Sequence, residues 1–173
     1  VVAKIEAGDA LTALEAKIIE GGGSPLGGAK PKALIEIDGE QWVIKFFNNE
    51  YVDAALIEHA TMTLAAQAGI CVAQTQVIHL VAANAVAIRR FDRVNGKRIH
   101  SISAGTAIRA ATAAGTEPEM GYPQLARILR RIGVTQGDAN LLDAQELFRR
   151  MVFNILIDNT DDNEKQHALL VVN

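Results

Sequence analysis

The sequence predicts an α+β protein in two parts: β-rich with one long helix up to about residue 90, then mainly helical. Three observations predict it. Short apolar runs flank Asp38-Gly39, and FDRV and KRIH flank Asn95-Gly96, both dipeptides that favour tight two-residue turns. Between Tyr51 and Gly69 the apolar spacing changes to that of a helix. Beyond residue 100 helical spacing prevails, in TAIRAATAAG, in YPQLARILRRIG and from Glu146 to Ile157.

Taken in order, Asp9 is expected to cap a helix through LTALEAKII, which Gly21 to Gly23 end. GGGSPLGGAKPK, with five glycines in twelve residues, is an irregular loop. ALIEI and QWVIKFF form a hairpin about Asp38-Gly39. The helix beginning near Tyr51 is expected to bury Ile57, Thr61, Leu64, Ala65 and Ala68. VIHLVA and AVAIRRF read as a strand pair turning at Ala83-Asn84, and FDRV and KRIH flank the second tight turn. Asp143 and Glu146 have capping-box spacing for the last helix, whose buried stripe is read as Leu147, Met151, Val152, Ile155 and Leu156. The polar loop DNTDDNEKQ and a strand ALLVV follow. The expected domains are residues 1–90 and 91–173.

Composition narrows the function classes. With 49% apolar residues among 173, a packed core is expected and disorder is not. A net charge of −3 gives no basic face for direct nucleic-acid binding. Every apolar run is interrupted well short of the roughly 18 residues a membrane helix needs. VVAKIEAGDA lacks the pattern of a secretory signal, and one cysteine cannot form an internal disulfide, so a cytoplasmic protein is expected. Cys71 reads as a small buried hydrophobe and Trp42 as a core residue. His59, His79, His100 and His167 have no metal-ligand spacing. Arg127, Arg130 and Arg131 share a helix surface and read as a solvated face. The absence of an initiator methionine and the strand-like ending HALLVVN suggest a fragment of a longer protein.

Three features could carry chemistry. The glycine loop can bring backbone N–H groups close to an anion, although it fits neither a Walker A nor a G-x-G-x-x-G pattern and alone reads equally as a linker. Lys45 shares a strand face with Val43 and Phe47, where an ammonium needs a partner, a ligand or a route to water. An edge-strand lysine is its bland alternative, and Glu58 on the next helix is the candidate carboxylate partner. Asp158, Asp161 and Asp162 crowd five residues of the acidic loop, and Asp161 and Gln166 have kinase catalytic-loop spacing. The order of glycine loop, strand lysine, helix glutamate and aspartate loop is more specific than any member.

From about residue 20 to 173 the chain resembles HipA-family toxins, in SPLGGAKPKALI, WVIKF, IEHATMTLAAQAGI, RRFDR and FNILIDNTDD, with RFDR and FN-x4-NTDD the most specific. The resemblance implies a protein-kinase-like, two-lobed fold with a β-rich amino-terminal lobe and an incomplete helical second lobe. It implies transfer of phosphate from ATP, with Mg²⁺, to a serine or threonine of a protein such as an aminoacyl-tRNA synthetase. The implied partner is a HipB-like DNA-binding antitoxin.

By the same resemblance, Ser24 is a regulatory autophosphorylation site, and Gly27, Gly28, Ala29 and Lys30 cover the phosphates. Lys45, orientated by Glu58, holds them; Arg89 to Phe91 form the adenine-binding hinge; Asp92 lies by the ribose. Asp161 is the catalytic base, and Asp161 and Gln166 are the metal ligands. Asn163 and Gln166 stand where the family has histidine and asparagine, Asp158 where it often has glycine, and a second metal-binding aspartate is expected beyond Asn173. Two rivals stay open: a pseudokinase serving as an interaction module, and a small-molecule kinase.

Overall fold

In the computed structural model, the structure describes residues 4, 7–15, 30–47, 52–81 and 83–171. The chain divides into two compact units, Val1–Lys97 and Arg98–Asn173. The division falls after the Asn95-Gly96 turn, seven residues beyond the boundary expected at 90/91.

In the first unit, β1 (Lys32–Ile37) and β2 (Glu40–Phe46) pair antiparallel across Asp38-Gly39. Both turn residues have positive φ, 51° and 75°, the backbone that a tight hairpin needs and that Asp and Gly tolerate. β3 (Thr75–His79) and β4 (Asn84–Arg89) complete an antiparallel sheet in the order β1-β2-β4-β3. Alternation sends Trp42, Ile44 and Phe46 to one face, where they join Leu11, Ala33, Ile37, Ile78, Ala85 and Ala87. Leu11 bridges in parallel to Leu80, with its N–H bonded to the His79 carbonyl at 2.9 Å. The helix entered next is capped by Thr12, not Asp9. Thr12 Oγ1 accepts from the Glu15 N–H at 3.3 Å while Glu15 Oε2 accepts from the Thr12 N–H at 2.8 Å. This T-x-x-E capping box was present in the sequence. That backbone bond, aided by Lys4, holds the Glu15 carboxyl down at about 2. Residues beyond Glu15 in this helix lie outside the described ones.

α1 (Ala54–Gln67) lies against β3 and β4, capped by Asp53, which accepts from the Leu56 N–H at 3.0 Å. Its covered positions are Ala54, Ala55, Glu58, His59, Thr61, Met62 and Ala65. The expected stripe holds at Thr61 and Ala65 and is corrected elsewhere: Ala68 is exposed, and Ile57 and Leu64 are 53% and 51% exposed. Small alanines let the helix approach the sheet, and Glu58 and His59 point inward because Lys45 and Thr75 receive them. Cys71 is exposed rather than buried; past the Gly69 turn it is Ile70 that packs inward. Arg93–Val94 and Lys97–Arg98 form the two-residue strands β5 and β6 around Asn95-Gly96.

In the second unit, β7 (Ser101–Ser103) pairs antiparallel with β8 (Ala168–Leu170). Ser103 also caps α2 (Ala104–Ala111), accepting from the Thr106 N–H at 3.2 Å. α3 (Tyr122–Ile132) and α4 (Ala139–Leu156) follow. Ala104, Ile108, Leu125, Ile128 and Leu147 form the core of this unit. α4 begins seven residues before the expected Glu146. Asp143 and Glu146 lie inside it, and Glu146 pairs with Arg149 and Arg150. The true start follows a 3₁₀ turn, Gln136–Asp138, with Asn140 tied to the Val134 and Arg130 carbonyls at 2.7 and 3.0 Å. The expected stripe also fails at its end, where Ile155 and Leu156 are 70% and 77% exposed. From Leu147 and Met151 the inward row continues at helical spacing to Asn154, a polar residue. Among the described residues, no helix is long and apolar enough to cross a membrane.

Gly133 joins α3 to the turn before α4. A Cβ there would lie 2.4 Å from the Leu129 carbonyl oxygen and 2.9 Å from Asn140 Cβ. Gly133→Ala should cost about 1–3 kcal/mol, read as a lower urea midpoint at unchanged m-value.

Candidate functional site

Lys45 projects from β2 onto the face that α1 covers, opposite Val86 of β4. Its Nζ meets Glu58 Oε1 at 2.5 Å, and both side chains are partly buried. A strand fixes one end and a capped helix the other, so the ammonium is held in place rather than trailing in solvent. Lys30 is exposed, with its ammonium 5.0 Å from the centre of the Phe47 ring. Ser24, Gly27, Gly28 and Ala29 lie outside the described residues.

At the end of β4, the N–H groups of Arg89 and Arg90 donate to the Gln74 and Gln41 carbonyls, both at 2.9 Å. The Arg89 guanidinium pairs with Glu40 at 2.7 Å, and Phe91 is exposed. Asp92 is only 7% exposed. Its carboxylate accepts two bonds from Arg90, at 2.8 and 2.6 Å, and one from Arg93 at 2.8 Å. The Arg90 hydrogen bonds are the main cause that holds its carboxyl below the usual range, against the opposing effect of burial. Any ribose hydroxyl reaching Asp92 would have to share oxygens that already serve two arginines.

The acidic loop begins where α4 ends. Asp158 has φ 55°, the left-handed backbone that favours glycine. The Asn159 N–H donates to the Asn154 carbonyl at 2.9 Å, and the Asp158 N–H to that of Ile155 at 3.3 Å. This is a Schellman ending, and it explains why glycine suits position 158. The Asp161 carbonyl oxygen accepts from Gln166 Nε2 at 2.8 Å and from Asn163 Nδ2 at 2.9 Å. Since a carbonyl only accepts, the Gln166 amide is orientated, and its Oε1 is left over by this bond. Gln166 Nε2 also lies 3.2 Å from Asp161 Oδ2. The loop thus brings Asp161 and Gln166 together, as their spacing suggested. Among the described residues no cluster of three or more His, Cys, Asp or Glu could hold a metal ion. An Asp161 carboxylate oxygen and the Gln166 amide oxygen nevertheless suit Mg²⁺, which takes few protein ligands and fills its shell with phosphates and water.

Sequence spacing missed the surroundings of Asp162. Its carboxylate accepts from the Tyr122 hydroxyl and lies 2.9 Å from His167 Nε2. The Tyr122 and His167 rings meet edge-on, 5.2 Å between centres. Burial, then the hydrogen bond to Asp162, push the Tyr122 hydroxyl up to about 12, so it remains a donor at neutral pH. His167 follows Gln166 directly, and neither a motif nor periodicity marked it.

Residues 24–173 match the family described as HipA-like C-terminal domain. The chain belongs to that family. Among curated proteins, the candidate kinase Y4dM of Sinorhizobium fredii is 29% identical over 145 residues, 76% of this chain and 34% of that protein. Among solved structures, a complex of the Shewanella oneidensis MR-1 toxin–antitoxin proteins HipA and HipB with operator DNA matches with TM-score 0.62 at 18% identity. That match covers 86% of this chain and 40% of the matched one. The Helicobacter pylori proinflammatory kinase CtkA matches with TM-score 0.62 at 12% identity, covering 87% of this chain and 55% of that one. At such identities the two structures speak for the fold, which is α+β and kinase-like. The chain spans about a third of Y4dM and 40% to 55% of the two solved relatives.

Two outcomes follow for this HipA-like chain. Asp92→Ala strands two partly buried guanidinium groups and should cost about 3–5 kcal/mol in chemical denaturation. Because the folded-state pKa of Asp92 is depressed, its contribution is present above the unfolded carboxyl value and is lost as pH falls through the folded one. The wild-type advantage over Asp92→Ala should therefore shrink with acidification below about pH 4. Asp158→Gly should raise stability by up to about 1–2 kcal/mol by relieving the left-handed aspartate.

Proposed function

We propose that this chain carries the phosphate-holding and base-bearing parts of a HipA-like serine/threonine protein kinase, the toxin of a cytoplasmic toxin–antitoxin system. The observation that carries the reading is the Lys45–Glu58 pair at 2.5 Å, a strand lysine orientated by a helix glutamate. The Asp161–Gln166 loop supports it with a carboxylate and an amide at catalytic-loop spacing.

In this mechanism the glycine loop from Ser24 to Lys30 covers the ATP phosphates and Lys45 neutralises part of their charge. The Arg89 to Phe91 segment meets adenine through its backbone. With the Arg89 and Arg90 N–H groups already donating, the Phe91 backbone is the candidate contact. Asp92 acts chiefly as the anchor of that segment and meets the ribose only by sharing its oxygens. The substrate hydroxyl oxygen attacks the γ-phosphorus, the bond to the β–γ bridging oxygen breaks, and ADP departs. The hydroxyl proton passes to Asp161. Asp161 and Gln166 would hold Mg²⁺, which would supply positive charge to offset that of the phosphates. Little covalent work falls to the protein, so catalysis rests on position and charge.

The substrate class is a protein hydroxyl, with an aminoacyl-tRNA synthetase as the target that the family resemblance suggests. A HipB-like antitoxin is the proposed partner, in keeping with the HipA–HipB–operator complex of the Shewanella relative. Phosphorylation of Ser24 would place about two negative charges in a loop that holds phosphates and so close the ATP site. The rival reading is an ATP-binding module without transfer, favoured by Asn163 and Gln166 in the catalytic loop.

Intact mass of the whole protein before and after incubation with MgATP tests the proposal. A gain of one phosphate mapped to Ser24 is expected, with Lys45→Met and Asp161→Asn each slowing it about 10²–10⁴-fold. Thermal stabilisation by ATP without any mass gain, in protein that starts unphosphorylated, would favour the interaction module.

A further inference from the structure

Asp161 sits in a loop with no strand or helix of its own to fix it. Its neighbours form a closed circuit of side chains. The Tyr122 hydroxyl, at the start of α3, donates to Asp162 Oδ2. Asn154 Nδ2, from the last turns of α4, donates to the Tyr122 oxygen at 3.2 Å. Asn159 Nδ2 donates to Asn154 Oδ1 at 3.2 Å, and the Asp161 N–H donates to Asn159 Oδ1 at 3.3 Å. The peptide bond from Asp161 to Asp162 closes the ring.

The direction of this circuit is fixed at both ends. A carboxylate only accepts, so Tyr122 must donate to Asp162, and its oxygen is then open to Asn154. A backbone N–H only donates, so Asn159 must present its oxygen to Asp161, which sets its amide and in turn that of Asn154. No member can flip without breaking two bonds. The ring holds the Asp161 amide while Asn163 and Gln166 hold its carbonyl, and His167 braces Asp162 from the other side. The Asp161 carboxylate makes one longer contact, to Gln166. The backbone is thus pinned on both sides and the reactive group is left largely available. Asn154 and Asn159 are the two asparagines of FN-x4-NTDD, to which the catalytic reading gave no task.

We infer that Tyr122, Asn154 and Asn159 are positioning residues, a one-directional hydrogen-bond ring that aims the Asp161 carboxylate at the hydroxyl it deprotonates. The inference rests on the kinase reading for its catalytic consequence, but the hold on the loop is measurable without catalysis. A base displaced by an ångström loses much of its rate advantage, whereas phosphate binding by the Lys45 unit does not involve these residues.

The test uses the intact protein with Tyr122→Phe, Asn159→Ala and the double variant, with MgATP as substrate. Each single change should lower kcat about tenfold to a hundredfold with KM for ATP within about twofold of wild type. The double variant should lose little more than either single, because both open the same ring. Asn159→Asp, which keeps the acceptor for the Asp161 N–H, should recover part of the loss. Hydrogen exchange of the amides at 159–163 should quicken in Tyr122→Phe while the rest of α3 and α4 keeps its protection. A wild-type kcat in Tyr122→Phe, additive losses in the double variant, or a loss confined to KM for ATP would each overturn the inference. If the wild type transfers no phosphate the kinase proposal fails; quickened exchange then still upholds the ring's hold on Asp161, and unchanged exchange removes it.

Discussion

The Lys45–Glu58 ion pair governs how the first unit is built. An ammonium on a covered sheet face loses hydration, and that loss is tolerable only where a carboxylate meets it with good geometry. Glu58 must therefore face the sheet, and a helix with one inward residue fixed has its whole register fixed. Ala55, His59, Met62 and Ala65 follow Glu58 to the inside, and Leu56, Ile57 and Leu64 are turned out. The apolar stripe gave way to the charge pair. Desolvation offsets much of the Coulomb attraction, so the pair contributes orientation more than stability.

A second constraint acts on the carboxylates. Asp92 and Asp162 are each held by two side chains, and both are well covered. Asp161 differs in kind: its backbone is held from both directions while its carboxylate lies in the exposed part of the loop. Three aspartates crowded into five residues look costly when counted as charges. The structure separates them by task, with Asp158 ending a helix, Asp161 turned outward and Asp162 anchoring.

The parts legible in the sequence were those with local causes. Asp38-Gly39 and Asn95-Gly96 have the positive φ angles that their hairpins demand. The pairing of Lys45 with Glu58 was legible because an apolar strand cannot leave a lysine alone. What escaped notice was decided by neighbours distant in sequence. Asn154 takes the inward place expected of Ile155 because Tyr122, 32 residues earlier, offers it a hydroxyl. The start of α4 depends on Asn140 reaching the Arg130 carbonyl, which no capping pattern at Asp143 reveals. The Thr12 capping box, by contrast, was local and readable, and Asp9 drew attention from it.

Gln166 and Asn163, the two residues that depart from the loop pattern implied by the family resemblance, have structural tasks of their own. Gln166 is one methylene longer than asparagine, and its amide nitrogen spans back to the Asp161 carbonyl, leaving its oxygen beside the same loop. The extra length is taken up within the loop. Asn163 accepts from the Lys165 N–H at 3.0 Å and donates to the Asp161 carbonyl, one side chain closing two turns. A neutral imidazole has one donor and one acceptor, but five-membered-ring geometry sets them apart, and a protonated one has no acceptor at all. Asparagine at this position therefore exchanges a chargeable ring for a more tightly braced Asp161. On the proposed kinase reading, such an exchange suits a base whose effect depends on where it is held more than on added charge.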